Sequence, residues 1–191
     1  MWFDASCPFT WRTSRWLRAI APRRGATVDW RIMSLAILNE GKEIPEPYRA
    51  LTAWSLGAQR LLLATREAHG SDAVDRLYTA IGTRRHDQGA DADRPLLVDA
   101  LAEAGLPSEL IGAVDDEGLD EPLRASHKEG QERVGTESGS PIVALGDGPG
   151  FFGPVVVPIP EDAAAERLFD ALALLSTVPE FSELKRSRNP F

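Results

Sequence analysis

The only cysteine of the chain, Cys7, is followed directly by Pro8 at the point where a short apolar segment meets a predicted helix. Proline has a fixed φ and no N–H group, so Pro8 suits the first turn of that helix. Unpaired N–H groups and the positive end of the helix dipole favour a thiolate there. We therefore predict that Cys7 is reactive, with a pKa below the usual value of about 8.5. A lone cysteine also fits a second interpretation, a small buried side chain without reactivity.

Thr10 lies one helical turn beyond Cys7. Its hydroxyl is placed to donate a hydrogen bond to the thiolate and so to lower its pKa, although a helical threonine equally often bonds a carbonyl of its own preceding turn. With no second cysteine in the chain, Cys7 cannot close an internal disulfide. The chemistry left to a single thiol is attack on an electrophile or an oxidised thiol, after which a second small thiol releases the adduct.

Length and composition exclude several classes of protein. The 191 residues suffice for one domain, or one domain with an insertion, and 43% hydrophobic residues argue against disorder. The net charge of −8 argues against general nucleic-acid binding. No apolar run reaches the roughly 18 residues of a membrane span, and the first residues lack the pattern of a signal peptide. We predict a soluble, cytoplasmic protein with no nucleic-acid or membrane partner.

A metal site is not expected. One cysteine excludes a Cys-rich zinc site, and the three histidines, His69, His86 and His127, are far apart in sequence without acidic residues at ligand spacing.

Around Cys7 the sequence predicts a strand, a helix and a second strand. The first strand is short, since only six residues precede Cys7. The helix carries an apolar stripe and ends before Gly25, and Val28, Trp30 and Ile32 then alternate with polar residues as in a half-buried strand. The crossover of such a βαβ unit is right-handed and its two strands are parallel.

From about Asn39 the apolar period becomes helical as far as Val134, with Asp93 as a predicted helix cap. We predict five helices here, beginning near residues 45, 71, 94, 108 and 121, with no strand between them. The strand pattern returns at residues 141–145 and 151–152, around a glycine-rich turn that indicates a β-hairpin, and a last helix follows at about 163–176.

Separate blocks of residues, in this order, resemble the DsbA family of thioredoxin-like proteins, and most closely the cytoplasmic actinobacterial branch typified by the mycothiol-dependent nitroreductase. The blocks are Trp2-Phe3-Asp4, Cys7-Pro8, Trp11 with residues 13–16, residues 33–40, Ala68-His69-Gly70, Phe151-Phe152-Gly153-Pro154 and Glu183-Leu184-Lys185-Arg186. The resemblance implies an α/β thioredoxin-like fold with an all-helical insertion between its βαβ and ββα halves. Residues 1–38 and 135–191 then form the thioredoxin-like domain, and residues 39–134 the helical insertion domain.

The resemblance also implies a site. The proline at Pro141 is then cis and faces the cysteine, which turns the backbone of Ser140 toward an extended thiol substrate; the alternative is an ordinary trans proline that opens a strand. The predicted catalytic residues are Cys7, Thr10 and Pro141. The predicted substrate-binding residues are Pro8, Phe9, Trp11 and Ser140.

The motif departs from Cys-Pro-x-Cys, because Thr10 stands where related oxidoreductases carry the second cysteine. We predict a monothiol oxidoreductase that acts on small electrophiles or mixed disulfides with a low-molecular-weight thiol, mycothiol, as cosubstrate. No tightly bound cofactor is expected, and the protein is a monomer or a homodimer. One alternative is an enzyme like the kappa-class glutathione transferases and hydroxychromene carboxylate isomerases. Another is a redox-inactive module that binds a ligand in the groove.

Overall fold

A computed structural model describes residues 1–135 and 137–187, and of Pro47 the backbone alone. Within the predicted C-terminal segment 135–191, Thr136 and residues 188–191 therefore lie outside the described residues. Four short strands form one mixed sheet in the described part: β1 (Trp2–Phe3), β2 (Arg31–Ile32), β3 (Ile142–Ala144) and β4 (Gly150–Phe152). The order is β2-β1-β3-β4, with β1 and β2 parallel and the other neighbours antiparallel. This mixed α/β arrangement is consistent with a thioredoxin-like fold.

Helices surround the sheet. They are α1 (Pro8–Ile20), α2 (Leu35–Leu38), α3 (Glu46–His69), α4 (Ser71–Gly82), α5 (Arg94–Glu103), α6 (Asp120–Val134) and α7 (Asp162–Leu175), with a π-helix at Thr83–Asp87 and 3₁₀ turns at Pro22–Arg24, Ser108–Asp115 and Glu117–Leu119. Helices α2 to α6 follow one another between β2 and β3. That they form a separate insertion domain stays a prediction. Among the described residues, none of these helices combines the length and apolar character needed to cross a membrane.

In the described residues, the larger of two apolar clusters joins the sheet to the helices, while Trp2, Met33 and Ile142 form a smaller, separate cluster. Phe3 of β1 stacks on Tyr78 of α4, with 4.0 Å between the ring centroids, and Trp11 and Trp16 of α1 are buried in the same core. The core therefore fixes α1 against both β1 and α4. This packing places the first residue before α1, Cys7, at the end of β1.

Strand β2 is shorter than predicted. We expected alternation to extend the strand over residues 28–32, but only Arg31–Ile32 pair with β1. The Trp30 N–H donates to Ser71 Oγ at 3.1 Å, and Arg66 donates to the Trp30 carbonyl at 2.6 Å. These two bonds lie on the edge of β2 that faces away from β1. On the side that faces β1, the Met1 amino group donates to the Asp29 carbonyl at 2.9 Å, and this contact replaces a further pair of the ladder.

The observed helix boundaries agree better with the boundaries predicted from capping residues than with those predicted from apolar periodicity alone. Asp93 Oδ1 accepts the Leu96 N–H at 3.0 Å, which confirms the predicted cap. The short helix predicted from about residue 108 is a 3₁₀ helix, Ser108–Asp115. Helix α2 and the π-helix Thr83–Asp87 were not predicted.

Gly82 is required where α4 passes α1. A Cβ at this position would overlap the ring of Trp11, while a Cβ at Gly112 would meet nothing within 4 Å. We expect Gly82→Ala to lower the free energy of unfolding by about 2–3 kcal/mol, because the buried ring has no space to move into. Gly112→Ala, the matched control, should change it by less than about 0.5 kcal/mol. Urea unfolding measures both, and equal small effects would contradict the close packing of α4 on Trp11.

Candidate active site around Cys7

Cys7 is the last residue before α1 and is 9% exposed. Its backbone is extended, with φ −85° and ψ 115°, and its carbonyl accepts the Trp11 N–H at 3.0 Å as the first bond of the helix. The thiol donates a hydrogen bond to the Ser140 carbonyl oxygen, 3.5 Å from Sγ. The sulfur therefore lies between the start of α1 and the loop that enters β3.

Two buried hydroxyls lie beside this sulfur. Thr10 Oγ1 and Ser140 Oγ are 2.6 Å apart, and Ser140 Oγ also accepts the Asp4 N–H at 3.0 Å. The Thr10 hydroxyl and its backbone N–H both lie close enough to Cys7 to lower the pKa of its thiol. The structure thus brings together three of the predicted site residues, Cys7, Thr10 and Ser140.

The carboxylate of Asp4 organises the loop between β1 and α1 and was missed by the sequence analysis. Asp4 is fully buried and accepts the Ser6 N–H at 2.8 Å, the Ser6 hydroxyl at 2.7 Å, the Leu35 N–H at 2.7 Å and the Ser55 hydroxyl at 3.0 Å. These bonds tie the loop to the first residue of α2 and to α3. A single acidic residue between an apolar strand and the only cysteine was the signal that could have identified it.

Burial raises the pKa of the Cys7 thiol, which contradicts our prediction that the helix N-terminus lowers it. Hydrogen bonds from the Thr10 hydroxyl and from the N–H groups of Thr10 and Phe9 lower the pKa, and the negative charge of Asp4 raises it further. Loss of water from around the thiolate outweighs the donors at the helix start. The thiolate fraction should therefore still be rising with pH above pH 9.0.

Asp4→Asn should lower the pKa of Cys7, because it removes the nearby negative charge. We expect the pH of half-maximal iodoacetamide alkylation to fall by on the order of half a pH unit. The matched control is Asp75→Asn on α4, which removes a charge paired with Arg18 at the protein surface and should leave the midpoint unchanged. A higher midpoint in Asp4→Asn would show that the carboxylate's hydrogen bonds, rather than its charge, determine the pKa.

The π-helix Thr83–Asp87 contacts both the loop before Cys7 and helix α1. His86 Nε2 donates to the Ala5 carbonyl oxygen at 2.8 Å and its ring stacks on Trp11, while Asp87 accepts the Trp11 Nε1–H at 2.8 Å. Burial lowers the pKa of His86, so the ring is neutral near pH 7. These contacts hold the loop before Cys7 against α1. Trp11 is only 3% exposed, so we do not retain it among the proposed substrate contacts.

The other predicted site residues lie at the edge of the same region. Pro8 is exposed and Phe9 half-buried, whereas Pro141 is buried and its peptide bond with Ser140 is cis. His127 lies at the start of α2, where its Nδ1 accepts the Ser34 N–H at 3.4 Å. Within the described ranges, no three His, Cys, Asp or Glu side chains are grouped so that they could hold a metal ion.

A family model described as Rv2466c-like, mycothiol-dependent nitroreductase Rv2466c, matches residues 6–186. The chain belongs to this family. The matched range includes Cys7, Thr10 and Ser140, and the Rv2466c-like family is one of mycothiol-dependent thiol oxidoreductases. Membership confirms the predicted resemblance at the level of the family. The chain is also 32% identical over 193 residues to the uncharacterized protein Rv2286c of Mycobacterium tuberculosis, a match that covers 98% of this chain and 81% of that protein.

Proposed function

We propose that the protein is a thiol-dependent oxidoreductase in which Cys7 is the single nucleophile and mycothiol is the cosubstrate. The observation that carries this proposal is the position of Cys7 at the start of α1, where its thiol bonds the Ser140 carbonyl and lies beside Thr10, in a chain of the Rv2466c-like family. Pro8 and Phe9 offer accessible surface at the helix start for the substrate, and the Ser140 backbone with Pro141 forms the facing wall.

The proposed cycle needs one protein sulfur. The Cys7 thiolate attacks the mycothiol sulfur of a mixed disulfide, the S–S bond breaks, and the other half leaves as a thiolate. A free mycothiol thiolate then attacks the mycothiol sulfur now bound to Cys7. This second exchange forms mycothiol disulfide and returns Cys7 as a thiolate, so bonds and electrons balance in both steps.

A raised pKa slows this cycle but does not prevent it. Each unit of pKa above the ambient pH lowers the thiolate fraction about tenfold, while the remaining thiolate becomes about threefold more nucleophilic. The net loss is therefore about threefold per unit. A high pKa also makes the Cys7 sulfur a poor leaving group, so a mixed disulfide on Cys7 should persist until mycothiol is plentiful.

The raised pKa of Cys7 also favours a second candidate, in which a bound thiol cofactor is the nucleophile. Kappa-class glutathione transferases and hydroxychromene carboxylate isomerases are the corresponding enzymes. In this candidate Thr10 and Ser140 hold the sulfur of the bound thiol, and Cys7 is not modified.

Intact-mass measurement separates the candidates. The full chain is incubated with mycothiol disulfide and weighed, and turnover of a mycothiol mixed disulfide is followed as free mycothiol is varied. We expect one mycothiol per chain, on Cys7, and turnover only when mycothiol is added. Mycothiol that binds without an adduct favours the second candidate, and neither binding nor an adduct favours the redox-inactive module.

A further inference from the structure

The Ser140 side chain has two partners with different roles. The Asp4 N–H can only donate, so Ser140 Oγ is the acceptor of that 3.0 Å bond and its own proton is directed elsewhere. The second partner, Thr10 Oγ1, lies 2.6 Å away and can accept that proton. A Thr10 hydroxyl that accepts from Ser140 is then able to donate its proton to the Cys7 sulfur.

We propose that Ser140 is a positioning residue that directs the Thr10 hydroxyl onto Cys7 Sγ, so that Asp4 N–H, Ser140 and Thr10 form a chain of donors that ends on the thiolate. This inference rests on the proposed role of Cys7 as the nucleophile. It gives the Ser140 side chain a function separate from the backbone contact with substrate.

The chain of donors acts differently on the two protonation states of Cys7, the thiol and the thiolate. The thiol donates to the Ser140 carbonyl at 3.5 Å, and in that state the two hydroxyls can bond in either direction. The thiolate has no proton to donate, and the carbonyl oxygen then faces a negative sulfur. The hydroxyl chain offsets this repulsion, because the negative sulfur accepts the Thr10 proton, Thr10 then accepts from Ser140, and the Asp4 N–H supplies the donor to Ser140 Oγ.

The charged groups around Cys7 do not stabilise its thiolate in place of the chain of donors. In the loop after β1, Asp4 raises the pKa of Cys7; on α4, burial raises the pKa of Tyr78, so its hydroxyl is uncharged at neutral pH. His86 of the π-helix is bonded to the Ala5 carbonyl, and Arg15 of α1 lies over the Trp11 ring, 4.1 Å from its centroid, and bonds Thr79. Residues 138–141, which enter β3, carry no titratable side chain.

The test is a double-mutant cycle on the full chain, which has one cysteine, so iodoacetamide alkylation reports Cys7 alone. We expect Thr10→Val to raise the pH of half-maximal alkylation by about one unit, because a hydrogen bond to a charged group is lost. Ser140→Ala should raise it by about half a unit, through loss of the ordering donor. In the double variant the midpoint should equal that of Thr10→Val, because Ser140 acts through Thr10.

Conservative variants control for changes of shape. Thr10→Ser and Ser140→Thr keep the hydroxyls and should restore the wild-type midpoint to within about 0.2 pH units. Should Ser140→Ala fail to fold, Ser140→Thr and Ser140→Val form the replacement pair, which differs in one hydroxyl and should differ by the same half unit.

Two results would overturn the inference: no shift on removal of the Ser140 hydroxyl, or a shift of undiminished size in the Thr10→Val background. The measurement uses no mycothiol. A result against the chain of donors is therefore no evidence against the mycothiol reaction. A result against the mycothiol reaction is likewise no evidence against the chain of donors.

Discussion

Cys7→Ser should abolish the mycothiol adduct and lower mycothiol-dependent turnover by about a thousandfold or more. A serine hydroxyl at this place remains protonated at neutral pH, and the group that the Cys7 thiol bonds is a carbonyl oxygen, which is not a base, so serine cannot substitute for a thiolate. The size of the side chain hardly changes, and the surrounding hydrogen bonds remain available. Intact mass and initial rates at saturating mycothiol measure the effect.

The matched control for Cys7→Ser is Ser176→Ala, which removes one hydroxyl that bonds Ala173 at the end of α7. Its turnover should match that of the unmodified protein. If Cys7→Ser kept more than about a tenth of the activity, Cys7 would not be the nucleophile. The bound-thiol candidate would then account for the remaining rate.

Thr10→Cys should give the protein a reversible internal disulfide that the natural sequence cannot form. The Thr10 side chain is buried, and both it and the Cys7 thiol bond Ser140, so a sulfur placed at residue 10 lies near Cys7 Sγ within a Cys-x-x-Cys spacing. We expect a two-electron potential between about −270 and −120 mV, as in other thioredoxin-fold dithiols. Oxidation, alkylation and intact mass should show no free thiol after oxidation and two after reduction.

Thr13→Cys is the matched control for this experiment. Thr13 is also buried on α1, but it lies one turn beyond Thr10, and its hydroxyl bonds the carbonyls of Phe9 and Pro154. This variant should keep two alkylatable thiols under the same oxidising conditions. If Thr10→Cys behaved in the same way, the arrangement of Cys7 and Thr10 described here would be wrong.

Local signals in the sequence predicted the parts of the site that depend on neighbours in the chain. A proline in the first helical turn placed Cys7 at the start of α1, and Asp93 predicted the start of α5. Proline positions and caps act over three or four residues, so a sequence displays them directly. The long helices α3 and α4 followed for the same reason, from their apolar periodicity.

The sequence did not predict effects that depend on distant residues. The extended residues before β2 pair with Ser71 and Arg66, and the Asp4 carboxylate is satisfied by residues as far away as Ser55. The direction of the Cys7 pKa shift was wrong for the same reason. A helix start is visible in the sequence, whereas the loss of water around Cys7 arises from packing against the loop before β3.

The absence of a second cysteine also determines how Cys7 responds to oxidation by peroxide. Peroxide converts a thiolate to a sulfenic acid, which many proteins rescue by condensation with a nearby cysteine before it is oxidised irreversibly. This chain has no second cysteine, so the thiol that rescues its sulfenic acid as a disulfide must come from another molecule. Because Cys7 is buried and its pKa is raised, little thiolate is presented to peroxide in the first place. The same burial that slows Cys7 as a nucleophile therefore protects its sulfur from overoxidation.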